Sequence, residues 1–255
     1  MFDQPEVPAN ACTEVDPSEA SLKQLAQQTD DGPCLMLNLL EFRPDGGRER
    51  FARYGEVAAK AIRARGGDVL YVGEPLTGAG VPEAAREGWD RIVCVRYPSR
   101  ASYLDLQQDP AYRAALPDRR NGLARRMLYV TQAGSRPGED SDVHFPLEPV
   151  ASADPNEIFV INMLRFRGPE GLADYSRYSD VVGPEIQKRG GSTVLLLQGE
   201  LPLVSDDFWH EFVLVRYPSL DSVMSMMSTD KWQDAAKNRQ RALHGRGGFP
   251  TRAVS

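Results

Sequence analysis

Asn38-Leu39-Leu40-Glu41-Phe42-Arg43 returns 124 positions later as Asn162-Met163-Leu164-Arg165-Phe166-Arg167. The shift holds across the stretch that follows: Tyr54 maps to Tyr178, and Gly66-Gly67 to Gly190-Gly191. After the next loop it becomes 120. Trp89 then maps to Trp209, Arg96-Tyr97-Pro98-Ser99 to Arg216-Tyr217-Pro218-Ser219, Tyr112 to Trp232 and Arg119 to Arg239. Two constant offsets that change only at a loop point to a tandem duplication of a unit of ordinary domain size.

Within each copy the hydrophobic period gives the elements. Cys34 to Phe42 is apolar on both alternating faces, as in a strand covered by a layer on each side. Pro44-Asp45-Gly46-Gly47 is a turn. Phe51, Tyr54, Ala58, Ala61 and Ile62 then fall on one helical stripe, which Gly66-Gly67 ends. Val69–Val72 and Trp89–Tyr97 read as strands. Ser99 and Asp109-Pro110 open two helical segments, and Met127–Gln132 is a fourth strand. The order strand, helix, strand, strand, helix, strand is that of a ferredoxin-like split βαβ unit. The fold class is therefore α+β, with two tandem ferredoxin-like repeats. A four-stranded sheet with helices on one face leaves its other face apolar and open. The second copy supplies a matching sheet, which predicts an intramolecular pseudo-dimer. The division is a tail and short helix over 1–33, repeat 1 over 34–132, a Pro/Ser/Gly-rich linker over 133–157 and repeat 2 over 158–255. Residues 1–14 read as disordered, with Asp16 as helix cap and Pro17 in the first helical position.

Composition bounds the function. A net charge of -6, with basic residues scattered, argues against a nucleic-acid surface. No apolar run approaches the roughly 18 residues of a membrane span, and the polar, acidic N-terminus does not read as a signal peptide. Three cysteines, Cys12, Cys34 and Cys94, lack metal-ligand spacing and fit a reducing cytoplasm.

The string Met36-Leu37-Asn38-Leu39-Leu40-Glu41-Phe42-Arg43, with Arg53-Tyr54, Gly66-Gly67, Trp89-Asp90, Val95-Arg96-Tyr97-Pro98-Ser99 and Asp109-Pro110-Ala111-Tyr112, resembles the bacterial family catalogued as domain of unknown function number 1330. That resemblance implies the dimeric α/β-barrel superfamily, whose members usually pair two ferredoxin-like chains; here both halves would be fused. It further implies an apolar cavity in each half for a small organic molecule. The superfamily includes cofactor-independent monooxygenases, polyketide cyclases, muconolactone-type isomerases and haem enzymes, and the fold does not choose among them.

The second copy departs at four places. His210 replaces Asp90, and Trp232 replaces Tyr112. Gly183-Pro184 stands inside its long helix and should kink it. Pro250 falls in its last strand and should weaken it or confine it to an edge.

Candidate site residues follow from polar groups in apolar surroundings. Asn38 and Asn162 sit in strands buried on both faces, where an unpartnered amide is costly. Each reads as a donor to a substrate oxygen or as a structural hydrogen bond. Tyr54 and Tyr178 lie on buried stripes, as proton donors or as core aromatics. Arg43, Arg96 and Arg119, with Arg167, Arg216 and Arg239, need charged partners, either a substrate carboxylate or enolate or an acid within the fold. Trp89, Trp209, Tyr112 and Trp232 are core or cavity wall. The expected catalytic trio is Asn38, Tyr54 and Arg96. Substrate binding is expected at Arg43, Trp89, Tyr112, Arg119, Asn162, Tyr178, Arg216, Trp232 and Arg239.

The three histidines, His144, His210 and His244, have no metal-ligand spacing, so no metal is expected. No cofactor is expected either, although haem use through one axial histidine stays open. The leading expectation is a cofactor-independent small-molecule enzyme performing enolate-type isomerisation, cyclisation or oxygenation on a carbonyl-bearing, aromatic or acidic compound. The alternative is a non-catalytic metabolite-binding or stress-response module. The expected partner is a small-molecule ligand, with no nucleic acid or membrane; a further homodimer is left open.

Overall fold

The computed structural model describes residues 9–28, 32–78, 81, 88–134, 148–152 and 154–254. After a 3-10 turn at Cys12–Glu14, the chain runs through α1 (Glu19–Ala26), β1 (Cys34–Phe42), α2 (Gly47–Arg63), β2 (Asp68–Pro75), β3 (Arg91–Tyr97), α3 (Arg100–Leu106), α4 (Pro110–Gly122) and β4 (Leu123–Ala133). It continues as β5 (Ile158–Phe166), α5 (Gly168–Lys188), β6 (Ser192–Val204), β7 (Glu211–Tyr217), α6 (Leu220–Met227), α7 (Asp230–Ala242) and β8 (Leu243–Ala253).

The eight strands close into one antiparallel barrel in the order β1-β3-β2-β8-β5-β7-β6-β4. Each half contributes four neighbouring strands with its first strand between its third and its fourth. The halves join at two seams, β2 with β8 through Glu74↔Arg252 and β4 with β6 through Val130↔Leu201. The apolar sheet faces expected to meet do so inside the barrel, and the seams remove the sheet edges as well.

Strand alternation sorts the core into layers. Leu35, Leu37 and Leu39 point into the barrel, where they join Tyr71, Tyr129, Phe159, Ile161, Phe212 and Phe249. Met36 lies on the opposite face, under α2, with Tyr54, Ala58 and Ile62. The second half repeats this outer layer with Tyr175, Val182, Val213 and Val215. At the β2–β8 seam, the Tyr71 hydroxyl and Thr251 Oγ1 are 2.6 Å apart. Arg100 on α3, 3% exposed, donates from Nε (2.9 Å) and Nη2 (2.6 Å) to the two oxygens of Glu200 on β6, tying one half to the other.

Several details differ from the sequence reading. Residues 9–14 are ordered: Asn10 bridges to Val204, and Cys12 is buried. Residues 1–8 of the expected disordered tail lie outside the described residues. Ser18, not Asp16, caps α1 through a 3.0 Å bond from Ser21 N–H, because Asp16 is engaged by two arginines. Pro250 lies in β8, which has a neighbour on each side rather than an edge position. The pairing of β8 with β2 begins only at Thr251, so the missing proline N–H breaks no rung there, while the Pro250 carbonyl accepts from Leu76 N–H (2.9 Å). Most of the expected linker, 135–147, lies outside the described residues.

Candidate functional site

Each half holds a cavity between the outer face of its sheet and its helices. In the first half it is about 250 Å³ and mostly apolar, with Met36, Leu40, Ile62 and Val95 in its wall. Its polar side chains include Asn38, Tyr54, Tyr112 and Arg119, with Arg126 from β4. Local sequence places them. Asn38 alternates with Leu37 and Leu39 and so faces the helices. Tyr54 is on the buried stripe of α2. The Asp109 side chain caps α4 by accepting from Tyr112 N–H (2.9 Å). Arg119 lies seven residues beyond Tyr112, two turns along the same face.

The bonds form two linked groups. The Tyr54 and Tyr112 hydroxyls are 3.0 Å apart, and Arg119 Nη1 donates to both, at 3.1 and 2.8 Å. Arg119 is 2% exposed. Its Nε and Nη2 donate to one oxygen of Asp16 (3.0 and 2.6 Å), while Arg120 takes the other. Arg126 holds Asn38 through Nε and Nη2 on Oδ1 (3.0 and 2.7 Å). The Asn38 amide donates to the Met36 and Val93 carbonyls (3.3 and 3.4 Å).

This wiring separates the two phenols. Burial and the neighbouring Tyr112 push Tyr54 well above its ordinary value. Burial would raise Tyr112 too, but the charges of Arg119 and Arg126, with hydrogen bonds from Tyr54 and Gln107, bring it below the ordinary tyrosine value. Tyr112 is therefore the phenol of the pair that gives up its proton more readily. Burial would also raise Asp16, and Arg119 and Arg120 reverse that, holding it below the usual carboxylate value.

The second cavity is about 500 Å³. Its wall uses matching positions: Asn162, Tyr178, Trp232, Arg239 and Arg246. The bonding differs. Arg239 Nη2 donates to Asn162 Oδ1 at 3.3 Å, its guanidinium lies 5.8 Å from the Tyr178 ring centre, and its buried Nε has no hydrogen-bond partner. Arg246 is exposed.

Of the expected catalytic trio, Asn38 and Tyr54 share the first cavity, and Arg96 does not line it. Arg96 pairs with Asp68, directly opposite it on β2. Arg216 likewise lies outside the second cavity and faces Glu157 at 3.5 Å. Arg43 is exposed, and Arg167 Nε donates to the Leu243 carbonyl (3.0 Å); neither lines either of these two cavities. Trp89 and Trp209 belong to the barrel interior, with the Arg125 guanidinium 4.6 Å from the Trp89 ring centre.

The sequence reading missed Arg126, Arg246 and the Asp16 contact. Arg126 and Arg246 are related by the same shift of 120 that relates Arg119 and Arg239, and that relation was the available signal. Asp16 precedes the repeat and had none. Among the described residues no group of three or more His, Cys, Asp or Glu is placed to hold a metal ion. Neither His210 nor His244 is among the described residues lining these two cavities, so neither is placed as an axial ligand to a haem in them. His210 Nδ1 accepts from Phe166 N–H (3.0 Å), the same service that Asp90 Oδ2 gives Phe42 N–H (2.8 Å) in the first half. His144 lies outside the described residues. No helix of the described residues is long and apolar enough to cross a membrane.

Comparison with known proteins bears on the fold. Residues 46–133 match the model of the family described as domain of unknown function DUF1330. No curated protein matches the chain. An anthrone oxidase-like protein is similar in structure, with a TM-score of 0.55, 10% identity, and coverage of 89% of this chain and 93% of that one. A haem-binding protein from Thermus thermophilus gives a TM-score of 0.50 at 12% identity, covering 89% of this chain and 93% of its own. A protein of unknown function from Rhodopseudomonas palustris is 26% identical over 51% of this chain and 100% of its own, with a TM-score of 0.43. At 10–12% identity the first two likenesses show the dimeric α/β-barrel fold and no activity.

Proposed function

We propose, for a chain whose residues 46–133 carry a DUF1330 domain, that the first cavity catalyses proton transfer at a carbon next to a carbonyl group of a small organic molecule. The organisation that goes with this reading is two tandem ferredoxin-like repeats, 34–132 and 158–255, fused into one intramolecular barrel. The observation that carries it is the hydrogen-bonded chain Tyr54–Tyr112–Arg119 in the wall of an otherwise apolar cavity. Two phenols pushed in opposite directions give an acid and a base side by side.

In this reading Tyr112, as phenolate, removes the carbon-bound proton. Negative charge moves to the carbonyl oxygen, and the Arg126 guanidinium, fixed by Asn38, stabilises it. Tyr54, still protonated, donates its own proton at carbon or oxygen, and the proton now on Tyr112 passes to Tyr54 across their 3.0 Å hydrogen bond, so the step balances as an isomerisation or cyclisation without a further reactant. Arg96 has no role in it. The apolar wall excludes water and strengthens each of these charge interactions.

The test is hydrogen–deuterium exchange at the α-carbon of a panel of cyclic diketones and aryl ketones, followed by NMR. Wild-type protein should catalyse exchange with at least one member. Tyr112→Phe should reduce it about 10²-fold or more, and Arg96→Ala should leave it unchanged. Exchange that survives Tyr112→Phe would overturn the mechanism. The mainly apolar wall favours a second reading, a non-catalytic metabolite-binding module, and saturable binding of the panel without exchange would select it.

A further inference from the structure

The polar groups of the second cavity invite a ligand of definite chemistry. In the first half the chain neutralises its own buried guanidinium: the Asp16 carboxylate accepts from Arg119 Nε and Nη2. In the second half, among the described residues, Arg239 and Arg246 have no carboxylate partner. Arg239 Nε is buried without a hydrogen-bond partner, and Nη2 reaches only the neutral Asn162. A guanidinium in that setting gains most from an anion with two acceptor oxygens.

Space differs in the same direction. Leu128 in the first wall corresponds to Gly248 in the second, and Tyr103 to Val223; the cavity doubles from about 250 to about 500 Å³. The change at Gly248 is built into the backbone, where φ is +152° and a side-chain carbon would fall 2.3 Å from the Ile161 carbonyl oxygen. The same wall carries the apolar side chains of Val160, Val213, Val215 and Trp232. Met224 and Met227, which are 55% and 38% exposed, also line the cavity. An exposed pair of flexible methionines is suited to an apolar tail of variable shape.

We propose that the second cavity binds an organic monocarboxylate with an apolar body. The carboxylate takes the place at Arg239 that Asp16 takes at Arg119, with Arg246 adding charge at the rim. The aryl or alkyl body runs along Trp232 toward the methionines. The site is distinct from the first cavity and does not depend on the proton-transfer reading.

The experiment is isothermal titration calorimetry on the full chain with three probes: 4-butylbenzoate, its neutral primary amide, and inorganic phosphate. We expect 4-butylbenzoate to bind at one saturable site, with the amide and phosphate at least tenfold weaker. Arg239→Gln should weaken the carboxylate at least tenfold and leave the amide unchanged. Because Arg239→Gln could also perturb folding, Val223→Tyr is a second variant that keeps the charge and restores the bulk found in the first half. It should weaken 4-butylbenzoate more than unsubstituted benzoate. Equal binding of acid and amide, no binding of the acid, or loss of binding in Tyr112→Phe would overturn the proposal. Tyr112→Phe with intact carboxylate binding and lost carbonyl exchange would separate the two cavities' activities.

Discussion

The two cavities use the same asparagine and the same pair of arginines and wire them differently. In the first, the strand arginine Arg126 holds Asn38, while the helix arginine Arg119 is tied to two phenols and to Asp16. In the second, Trp232 stands where Tyr112 stood, so the helix arginine loses one hydroxyl partner and turns to Asn162; the strand arginine Arg246 is released to the surface. One hydroxyl lost and one carboxylate missing leave the helix arginine of the wider second pocket without the neutralising partner that it has in the first. The two halves thus differ through the partners of their arginines rather than through the arginines themselves.

The largest test of that difference is to remove the first cavity's anion. Asp16→Asn leaves Arg119 charged at 2% exposure with no carboxylate. Breaking one side of a buried pair costs about 3–5 kcal/mol, so urea unfolding should shift by that order. Tyr112 should also titrate lower than in the wild type, because the Arg119 charge is no longer offset. The pH dependence has a definite sign. The Asp16 carboxyl is depressed in the folded protein relative to 3.8, so its stabilisation is present above that value and lost as pH falls through the folded value. The variant should lack this acid loss. A change under 1 kcal/mol would mean that the two arginines do not differ in the way described.

The second test concerns the acceptor that each half gives to the end of its first strand. Asp90 does this in one half and His210 in the other. Burial, then the charge of Arg165, lower His210 from 6.5 to about 4. Between those values the unfolded chain takes up a proton that the folded chain refuses, so stability falls as pH drops from 6.5 toward 4. The full effect is on the order of 3 kcal/mol. Urea unfolding at pH 7 and pH 4.5 should show this loss in the wild type and not in His210→Asn, whose amide oxygen can accept the same N–H.

These tests use residues of unequal legibility. The barrel followed from the repeat: a strand apolar on both faces from Cys34 to Phe42, returning at 158–166, called for a covering layer on each side, and the second sheet supplies one of them. Asn38, Tyr54, Tyr112 and Arg119 were legible as polar groups on apolar stripes. Arg96 misled because it interrupts the same kind of stripe, yet its strand places it opposite Asp68, a cross-strand pairing that no single-strand pattern displays. Asp16 was misread for the opposite reason. Its local context, Asp-Pro-Ser-Glu, fits a helix cap, and a contact 103 residues away outweighed it. Ser18 then took the cap.

A smaller difference is expected at the strand arginines. Arg126→Leu leaves the Asn38 carbonyl, 8% exposed, without its two donors, which costs about 1–3 kcal/mol. Arg246→Leu removes an exposed side chain and should stay within about 0.5 kcal/mol. Denaturation of the two variants side by side measures the asymmetry directly. Equal losses would show that Arg246 is held as firmly as Arg126.

The smallest effect belongs to the third-strand arginines. Arg96 and Arg216 occupy matching positions, but their cross-strand neighbours differ: Asp68 in the first half, Ser192 in the second. Arg96 therefore has an acid opposite it, while Arg216 reaches out of register to Glu157. Their side chains are 33% and 42% exposed, so solvent screens both pairs. A double-mutant cycle on Arg96 and Asp68 should give a coupling of about 0.2–1 kcal/mol, and one on Arg216 and Glu157 a value near zero. Neither arginine lines a cavity, so Arg96→Ala should leave carbonyl exchange intact and Arg216→Ala should leave carboxylate binding intact. Loss of exchange in Arg96→Ala, with folding unchanged, would return Arg96 to the site and transfer the enolate-stabilising role from the fourth strand to the third.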